Sequence, residues 1–391
     1  MSTPTPSAED TTGVVVRASD GLPGDIAERL VDVFARHLAA TDGGMAFSVH
    51  RAGQPLLQLH GGRAAPGRAW TEDTMAVLFS GTKGLTATLA AILIGRGQLD
   101  PEAPVAECWP EFAAAGKEQV RIHHLLDHTV GLPYVDPDPA TQAEVLDNRL
   151  MAERLAAQPT LWEPGTKVAY HAITYGYLLA EVMRRVTGRG PGELLRTELA
   201  EPLGLDFHLG LPAAEEERVA PVFRAPDYRI STYLEDDPER RAIVNRMYGS
   251  SLTAEQPPFN TREHHAAELA AGGAIGTADA MSRLYSLLIS PESLPAPIVP
   301  AETLARATRT WSEGKDAIND RPVRFGLGYE LDDPLGTYGP VRPALGHSGA
   351  GGGLHGAWPE KDLAFSFLPS MMQSEDVDRR VKDLLAVLAE A

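Results

Sequence analysis

A serine and a lysine three residues apart, Ser80 and Lys83, form a pair in this sequence that could do chemistry together. On a helix, positions i and i+3 share a face, so a helix beginning near Ser80 would set the hydroxyl beside the amine. A serine hydroxyl becomes an effective nucleophile when a neighbouring base takes its proton. A lysine can be that base if burial lowers the pKa of its amine and leaves it neutral. The spacing therefore indicates a nucleophile with its base.

The residues that follow Lys83 would supply an apolar wall for the amine. They include Leu85, Leu89, Ala90, Ile92, Leu93 and Ile94, with almost no charge before Arg96. The N-terminus of such a helix also offers unpaired backbone N–H groups, which stabilise a developing oxyanion. The stretch 78–85 could thus hold a nucleophile, a base and part of an oxyanion hole.

A second serine–lysine pair with the same spacing, Ser312 and Lys315, lies in a polar run without an apolar helix behind it. We interpret it as a solvated loop. The surrounding sequence, rather than the spacing, therefore selects Ser80. The alternative for Ser80 is a helix cap beside a surface lysine.

Tyr170 ends a short extended run just before a predicted helix. A phenol at such a junction can serve as a general base in a cleft if nearby cations lower its pKa from about 10. The alternative is a half-buried tyrosine whose hydroxyl points into water.

The segment His347-Ser348-Gly349 is predicted to lie on a late strand, and Ala350 and three glycines follow it. The glycines could let a substrate approach the strand edge, and the N–H near Ala350 could complete an oxyanion hole. A plain glycine-rich hairpin turn is the simpler interpretation. A third is a nucleophile elbow at Ser348, because residues 346–350 nearly match G-x-S-x-G, but an elbow must turn from a strand into a helix.

His124 and His128, with Asp127 beside them, have the spacing of a metal-binding pair, but no third ligand is evident. We favour a helix end with capping histidines. The single cysteine, Cys108, excludes an internal disulfide. We predict no metal site and no cofactor.

The elements that must position these residues follow from hydrophobic periodicity. Helices are predicted around 26–38, 80–95, 141–157, 174–187 and 376–389, and another is predicted to run from the glycine turn at 271–277 through 288. Strands are predicted at 45–50, 55–60, 325–331, 345–349, 354–359 and 363–368. Strands at both ends with helices between them indicate an α+β fold. One mostly antiparallel sheet, flanked by helices, would be built from both chain ends around an inserted helical subdomain.

The chain divides accordingly. Residues 1–22 are expected to be a flexible lead, and residues 23–79 and 271–391 to form the sheet subdomain. Residues 80–270 would form the mainly helical subdomain. Within it, the irregular, charged and proline-containing region 213–265 is predicted to be an insertion that lines the cleft.

The amino-acid composition limits the classes of partner that the protein can bind. The 391 residues include 53 acidic and 35 basic side chains, for a formal net charge of -18. Nucleic acids and anionic membranes require a basic face, so we expect neither as a partner. The polar start of the sequence lacks the pattern of a signal peptide, and no apolar run reaches the roughly 18 residues of a membrane span. We expect a cytoplasmic protein that acts on a small molecule; no particular oligomeric state is predicted.

The order Ser80-x-x-Lys83, then Tyr170, then His347-Ser348-Gly349 resembles the serine β-lactamase-like superfamily. It is most similar to class C β-lactamases, family VIII carboxylesterases and the related D-peptidases and acyltransferases. The stretches at 122–133, 164–166 and 271–277 support the resemblance, which runs from about residue 25 to the end without 213–265. It implies a β-lactamase/transpeptidase-like fold.

The resemblance also implies roles. Ser80 would be the acylated nucleophile, and Lys83 and Tyr170 would share the role of general base. The N–H groups of Ser80 and Ala350 would form the oxyanion hole. The residues implied to contact substrate are His347, Ser348, Gly349 and Ala172. The reaction would be acyl transfer through a covalent acyl-enzyme on an ester or amide, without metal or cofactor.

Two departures from the family pattern bear on the substrate. The family's Tyr-x-Asn reads Tyr170-His171-Ala172 here, and His347 stands where many members have the lysine of a K-T-G strand. Both changes weaken recognition of a carboxylate-bearing β-lactam or D-Ala peptide, because an amide and a fixed cation are missing. We therefore favour a carboxylesterase or acyltransferase acting on a small ester. The alternatives are a β-lactamase, a D-amino-acid peptidase or amidase, and a non-catalytic binding member of the fold.

Overall fold

A ten-stranded sheet built from strands at both ends of the sequence is the central element of the fold. The computed structural model describes residues 13–230, 237–249 and 257–391. Within them the strands are β1 (Val14–Ala18), β2 (Gly44–Arg51), β3 (Gln54–Ala65), β4 (Arg68–Ala69), β5 (Ala76–Val77), β6 (Phe207–His208), β7 (Phe223–Arg224), β8 (Ile275–Gly276), β9 (Ser312–Lys315), β10 (Pro322–Phe325), β11 (Glu330–Leu331), β12 (Leu345–Gly349), β13 (Gly353–Trp358), β14 (Leu363–Pro369) and β15 (Met371–Met372).

The large sheet has the order β1-β3-β2-β14-β13-β12-β11-β10-β9, with β4 added to β3, and its neighbouring strands are all antiparallel. The strand β2 from the first part of the chain pairs with β14 from the last part, with Ser48 opposite Ser366. The predicted mostly antiparallel sheet from both chain ends is therefore confirmed.

Helices cover both faces of this sheet. In the described residues they are α1 (Gly24–Ala39), α2 (Thr82–Gly95), α3 (Val105–Cys108), α4 (Ile122–Leu126), α5 (Gln142–Leu146), α6 (Asn148–Ala157), α7 (Thr174–Thr187), α8 (Pro191–Leu195), α9 (Glu201–Leu203), α10 (Pro238–Tyr248), α11 (Arg262–Ala266), α12 (Ala278–Ile289), α13 (Ala301–Thr308) and α14 (Arg380–Leu388). The α+β class predicted from the order of elements is confirmed.

Alternation along β14 shows how the two faces are covered. Successive side chains of a strand point to opposite faces. Phe365 and Phe367 pack in a core with α1 and α14, whereas Ala364 and Leu368 belong to the larger core that includes α2, α7 and α12. A strand buried on both sides has few polar residues, as β14 does.

Helix α2 runs through the larger core. Every residue from Thr82 to Leu93 is buried, which is the expected position of a helix that is apolar on all sides. Gly84 permits its close packing, because a Cβ there would lie 2.0 Å from the hydroxyl oxygen of Tyr285 on α12. The first turn of α2 is thereby packed closely against α12.

Two predictions about irregular segments are wrong. The flexible lead predicted for residues 1–22 contains β1, whose β-branched run Val14–Val16 pairs with β3; residues 1–12 lie outside the described residues. The loop predicted around Ser312 and Lys315 is instead the edge strand β9, paired with β10. Ser312 is buried and donates a 2.5 Å hydrogen bond to the backbone oxygen of Asp127, so neither member of this second pair forms a site.

Other element bounds also differ from the predictions. The helix predicted over 141–157 is divided at Asp147, whose side chain accepts from the N–H groups that open α6. The strand predicted over 325–331 is divided by a bend between β10 and β11. The region 213–265 contains the helix α10, although residues 231–236 and 250–256 of that region lie outside the described residues.

Candidate active site

Ser80 lies in a single 3₁₀ turn, Phe79–Gly81, that leads directly into α2. Phe79 has a positive φ of 48°, a conformation that costs roughly 1 kcal/mol or more for a residue other than glycine. A strained backbone conformation persists only where the surrounding packing holds it, and such residues cluster at functional sites. The turn sets Ser80 at the N-terminal end of the buried helix, where free backbone N–H groups are found.

The structure brings Lys83 beside Ser80. Lys83 is fully buried in the first turn of α2, and its Nζ lies 3.3 Å from Ser80 Oγ. Nζ also donates 2.8 Å hydrogen bonds to the backbone oxygens of Ala172 and Ala271. Burial lowers the pKa of Lys83 well below its ordinary value, although Glu330 opposes the shift. Burial therefore favours the neutral form of the amine.

A neutral amine has two N–H donors and one lone pair, whereas an ammonium group has three donors. The carbonyl oxygens of Ala172 and Ala271 take two donors. The lone pair of Nζ then points along the third contact, toward Ser80 Oγ. This arrangement leaves Lys83 able to accept the hydroxyl proton of Ser80.

Tyr170 also lies close to the amine of Lys83. The Lys83 Nζ lies 4.8 Å from the centroid of its ring. Its hydroxyl oxygen is buried and has no hydrogen-bond partner among the described residues. Burial raises the pKa of Tyr170 well above 10, with Ser80 a smaller opposing influence. The condition for a general base, a pKa lowered by nearby cations, is not met, because burial raises the pKa; Tyr170 is a neutral phenol in this structure.

His347 lies on β12 with its imidazole buried. Its Nδ1 is 2.8 Å from the backbone oxygen of Ser348, and its Nε2 has no partner among the described residues. Burial lowers the pKa of His347 to about 4, so the imidazole is neutral at pH 7. The position of the family's K-T-G lysine therefore holds an uncharged ring here.

Glu330 is a site residue that sequence reasoning missed. It lies on β11, and its Oε2 accepts hydrogen bonds from the backbone N–H of Ser348 (2.8 Å) and the hydroxyl of Tyr338 (3.0 Å). Burial raises its pKa, but His347, Arg321 and the Ser348 N–H outweigh burial and the net shift is downward. The available signal was a lone carboxylate within an otherwise apolar strand pattern, since buried carboxylates are rare unless they have partners.

The stretch after β12 is a hairpin turn. Ala350 follows the strand, Gly351 and Gly352 adopt φ values of 83° and 101°, and the chain returns as β13. No helix follows Ser348, so the nucleophile-elbow interpretation is wrong. Ala350 and Ser80 line the same cavities, as an oxyanion hole formed by their N–H groups requires.

Two adjoining cavities meet at Ser80. One, of about 470 Å³, is mainly apolar; the other, of about 500 Å³, contains the charged and polar groups described above. Their shared walls are formed by Ser80, Tyr228, Ile230, Met247, Tyr248 and Ala350. The predicted contact residues divide between them: Ala172 lines the apolar cavity, and His347, Ser348 and Gly349 line the polar one.

The histidine pair at 124 and 128 has a structural role. His124 Nδ1 accepts the backbone N–H of Arg121 at 3.1 Å at the start of α4, as a cap does. Among the described residues there is no cluster of three or more His, Cys, Asp or Glu side chains suited to a metal ion. In the same part of the chain, no helix combines the length and apolar character needed to cross a membrane.

Comparison with known proteins agrees with this geometry. The family model described as Beta-lactamase matches residues 33–390. Esterase/beta-lactamase LipL of Mycobacterium tuberculosis is 34% identical over 355 residues, which cover 85% of this chain and 78% of LipL.

Solved structures extend the likeness over the whole fold. A penicillin-binding protein homologue from Caulobacter crescentus matches with a TM-score of 0.87 and 30% identity, covering 97% of this chain and 100% of its own. A family VIII carboxylesterase matches with a TM-score of 0.84 and 30% identity, covering 96% and 99%. The chain therefore belongs to the β-lactamase family, with the β-lactamase/transpeptidase-like fold, and is a serine hydrolase of that family.

Proposed function

We propose that this protein is a carboxylesterase that forms an acyl-enzyme on Ser80. The observation that supports this most directly is the buried Lys83, whose Nζ lies 3.3 Å from Ser80 Oγ and donates 2.8 Å hydrogen bonds to two backbone oxygens. A preformed base of this kind activates a serine without a metal or a cofactor.

The reaction follows from that arrangement. The Ser80 hydroxyl gives its proton to Lys83 Nζ, and Oγ bonds to the carbonyl carbon of the ester. The negative charge that develops on the carbonyl oxygen is received by the N–H groups of Ser80 and Ala350. The ester C–O bond then breaks, and the departing alcohol takes a proton from Tyr170, which is reprotonated from the Lys83 ammonium group. Water, activated by Lys83, finally hydrolyses the acyl-enzyme.

Charge at the site favours an ester over a β-lactam. The buried His347 is neutral and the buried Glu330 is anionic, so this side of the site offers no fixed cation at the K-T-G position to a substrate carboxylate. The similar family VIII carboxylesterase supports the same choice, whereas the name of LipL covers both activities. An acyltransferase would use the same acyl-enzyme with an alcohol in place of water, and it is the second candidate.

The test is intact-mass spectrometry after brief exposure to p-nitrophenyl esters. An acyl adduct should form on the wild type, Ser348→Ala and Ser312→Ala proteins and be absent from Ser80→Ala. Rapid turnover of nitrocefin without activity on any ester would contradict the proposal. Adding a primary alcohol during turnover separates the two candidates, because an acyltransferase yields the new ester in preference to the free acid.

A further inference from the structure

The two cavities differ in whether Tyr170, the proposed proton donor, lines them. Tyr170 lines the polar cavity and does not line the apolar one, whereas Ser80 lines both. An ester bonded to Ser80 Oγ has an acyl chain on one side of its carbonyl carbon and the departing oxygen on the other. The departing oxygen must lie near the phenol that protonates it. The alcohol portion therefore belongs in the polar cavity and the acyl chain in the apolar one.

The apolar cavity has the dimensions and surface of an acyl-binding pocket. Its volume of about 470 Å³ lies within the usual range for small-molecule sites. Phe79 and Phe259 pack edge to face in its wall, with ring centroids 5.0 Å apart. Of its charged lining residues, Asp138 and Arg246 are paired with each other at 2.7 Å, and the Arg224 guanidinium lies 5.9 Å from the centroid of the Phe259 ring. Burying a chain here removes apolar surface from water.

The polar cavity has a different character. Its charged lining residues are Arg229, Arg321, Glu330, Glu375, Asp376, Asp378 and Lys382. Glu330 lies beside the strand segment that substrate would meet, because it accepts the N–H of Ser348. The neighbouring cation Arg321 is paired with Glu375. An anionic alcohol portion would meet the carboxylate of Glu330 in a buried setting, where like charges repel strongly.

We propose, on the basis of the function proposed above, that the substrate is an ester with a hydrophobic acyl chain in the Phe79–Phe259 cavity and an uncharged or cationic alcohol portion in the polar cavity, with Glu330 excluding anionic alcohols. The division assigns each half of the ester to one cavity. It also makes Glu330 a residue that determines specificity rather than one that takes part in bond breaking.

The acyl half is tested with p-nitrophenyl esters of increasing chain length. The value of kcat/KM should rise about fourfold for each added methylene until the cavity is filled. Phe259→Ala enlarges the pocket and should move the optimum to longer chains. The matched control is Val323→Ala, which enlarges only the polar cavity and should leave the optimum unchanged. A decline in kcat/KM from acetate onward in the wild type would overturn this half.

The alcohol half is tested with butyrate esters of 4-hydroxybenzamide and 4-hydroxybenzoate, which differ in charge. The wild type should prefer the neutral ester, and Glu330→Gln should raise the relative rate on the anionic ester by about tenfold or more. Glu313→Gln, on the exposed edge strand, is the control and should leave the ratio unchanged. A wild-type preference for the anionic ester, or an unchanged ratio in folded Glu330→Gln, would overturn this half.

Glu375→Gln supplies a second variant in case Glu330→Gln does not fold. Releasing Arg321 from its partner should also raise the relative rate on the anionic ester, and an unchanged ratio would count against the charge argument. Failure of the proposed function is distinguishable from failure of this inference. In the first case no ester acylates Ser80; in the second, Ser80 is acylated without preference for chain length or charge.

Discussion

The guanidinium of Arg380, at the start of α14, donates a 2.8 Å hydrogen bond to the backbone oxygen of Gly351. The same group donates to the backbone oxygen of Met371 (2.8 Å) and pairs with Asp378 (2.6 Å). Arg380 and Asp378 are both buried. The turn that bears the proposed oxyanion donor Ala350 is therefore held in place by the Asp378–Arg380 ion pair. This pair includes neither Ser80 nor Lys83.

We predict that Arg380→Gln lowers kcat for ester hydrolysis by about 10- to 100-fold with little change in KM, because a small displacement of an oxyanion donor weakens the transition state. The variant should also lose about 3–5 kcal/mol of unfolding free energy, because Asp378 is left buried without its cation. Steady-state kinetics and denaturant unfolding measure the two effects.

The double variant Asp378→Asn/Arg380→Gln separates positioning from stability. It removes the unpaired charge and should recover much of the stability while kcat remains low. Arg29→Gln, which breaks an exposed pair with Glu390, is the control and should change neither quantity appreciably. Wild-type kcat in the double variant would show that Arg380 does not position the turn.

Tyr170→Phe should slow hydrolysis by about 10²–10⁴-fold. The loss should be larger for an ethyl ester than for a p-nitrophenyl ester, because the poorer leaving group depends more on a proton donor. Stability should change little, since the hydroxyl has no hydrogen-bond partner among the described residues. The control is Tyr175→Phe, which removes another buried hydroxyl without such a partner. Equal losses on both esters would argue against proton donation by Tyr170.

The pH dependence of stability reports on the charge of Lys83. In the unfolded chain its pKa is about 10.4, whereas burial holds the folded pKa well below that. The unfolded state therefore binds more protons between these two values, and stability from this group rises with pH. Relative to Lys83→Met, the wild type should gain up to about 1.4 kcal/mol per pH unit as the pH rises from the folded pKa of Lys83 toward the unfolded one. A pH-independent difference would mean that the folded amine is charged.

Activity should show the corresponding acidic limb. Lys83 accepts a proton only when neutral, so kcat/KM should be at a plateau above its lowered folded pKa and fall as the pH drops through it. The measurement is a pH–rate profile on a p-nitrophenyl ester, corrected for the spontaneous reaction. Activity that instead rises steadily toward pH 10 would place the pKa of the base near its ordinary value.

Gly84→Ala should destabilise the protein by about 1–3 kcal/mol, although alanine ordinarily favours a helix over glycine. The cause is the contact with Tyr285, whose hydroxyl oxygen would lie 2.0 Å from the new Cβ. In a Tyr285→Phe background the nearest atom is absent, so the same substitution should cost less. Denaturant unfolding of the four proteins in a double-mutant cycle measures the coupling. Strictly additive effects would contradict this account.

Local sequence patterns predicted the parts of the site that depend on local spacing. Ser80 and Lys83 were identified by an i, i+3 spacing and by the apolar run of α2, and the helix predicted at 174–187 has those bounds in the structure. The strands predicted at 45–50 and 55–60 are β2 and β3, which pair as neighbours in the sheet. The family resemblance is confirmed over residues 33–390.

The remaining features depend on contacts that local patterns do not encode. The two acceptors of Lys83 are backbone oxygens 89 and 188 residues further along the chain, and any residue type supplies a backbone oxygen. The neutrality of His347 arises from burial, and the charge of Glu330 from neighbours such as Arg321 and the Ser348 N–H that outweigh burial; only the assembled sheet brings these groups together. Helix α10 was missed because its sequence is mostly polar and offers a weak 3.6-residue pattern.

The pairing of β2 with β14 has a consequence for synthesis of the protein on the ribosome. Ser80 and Lys83 are translated early. The strands β12 and β14, with the Ala350 turn between them, follow more than 260 residues later in the sequence. Until β14 emerges, β2 is paired only with β3 and the centre of the sheet cannot close. Contacts between distant segments form slowly because a long loop must first be closed. The nascent chain thus contains Ser80 for most of its synthesis without a complete site around it, and we expect hydrolase activity to begin only when the final strands dock.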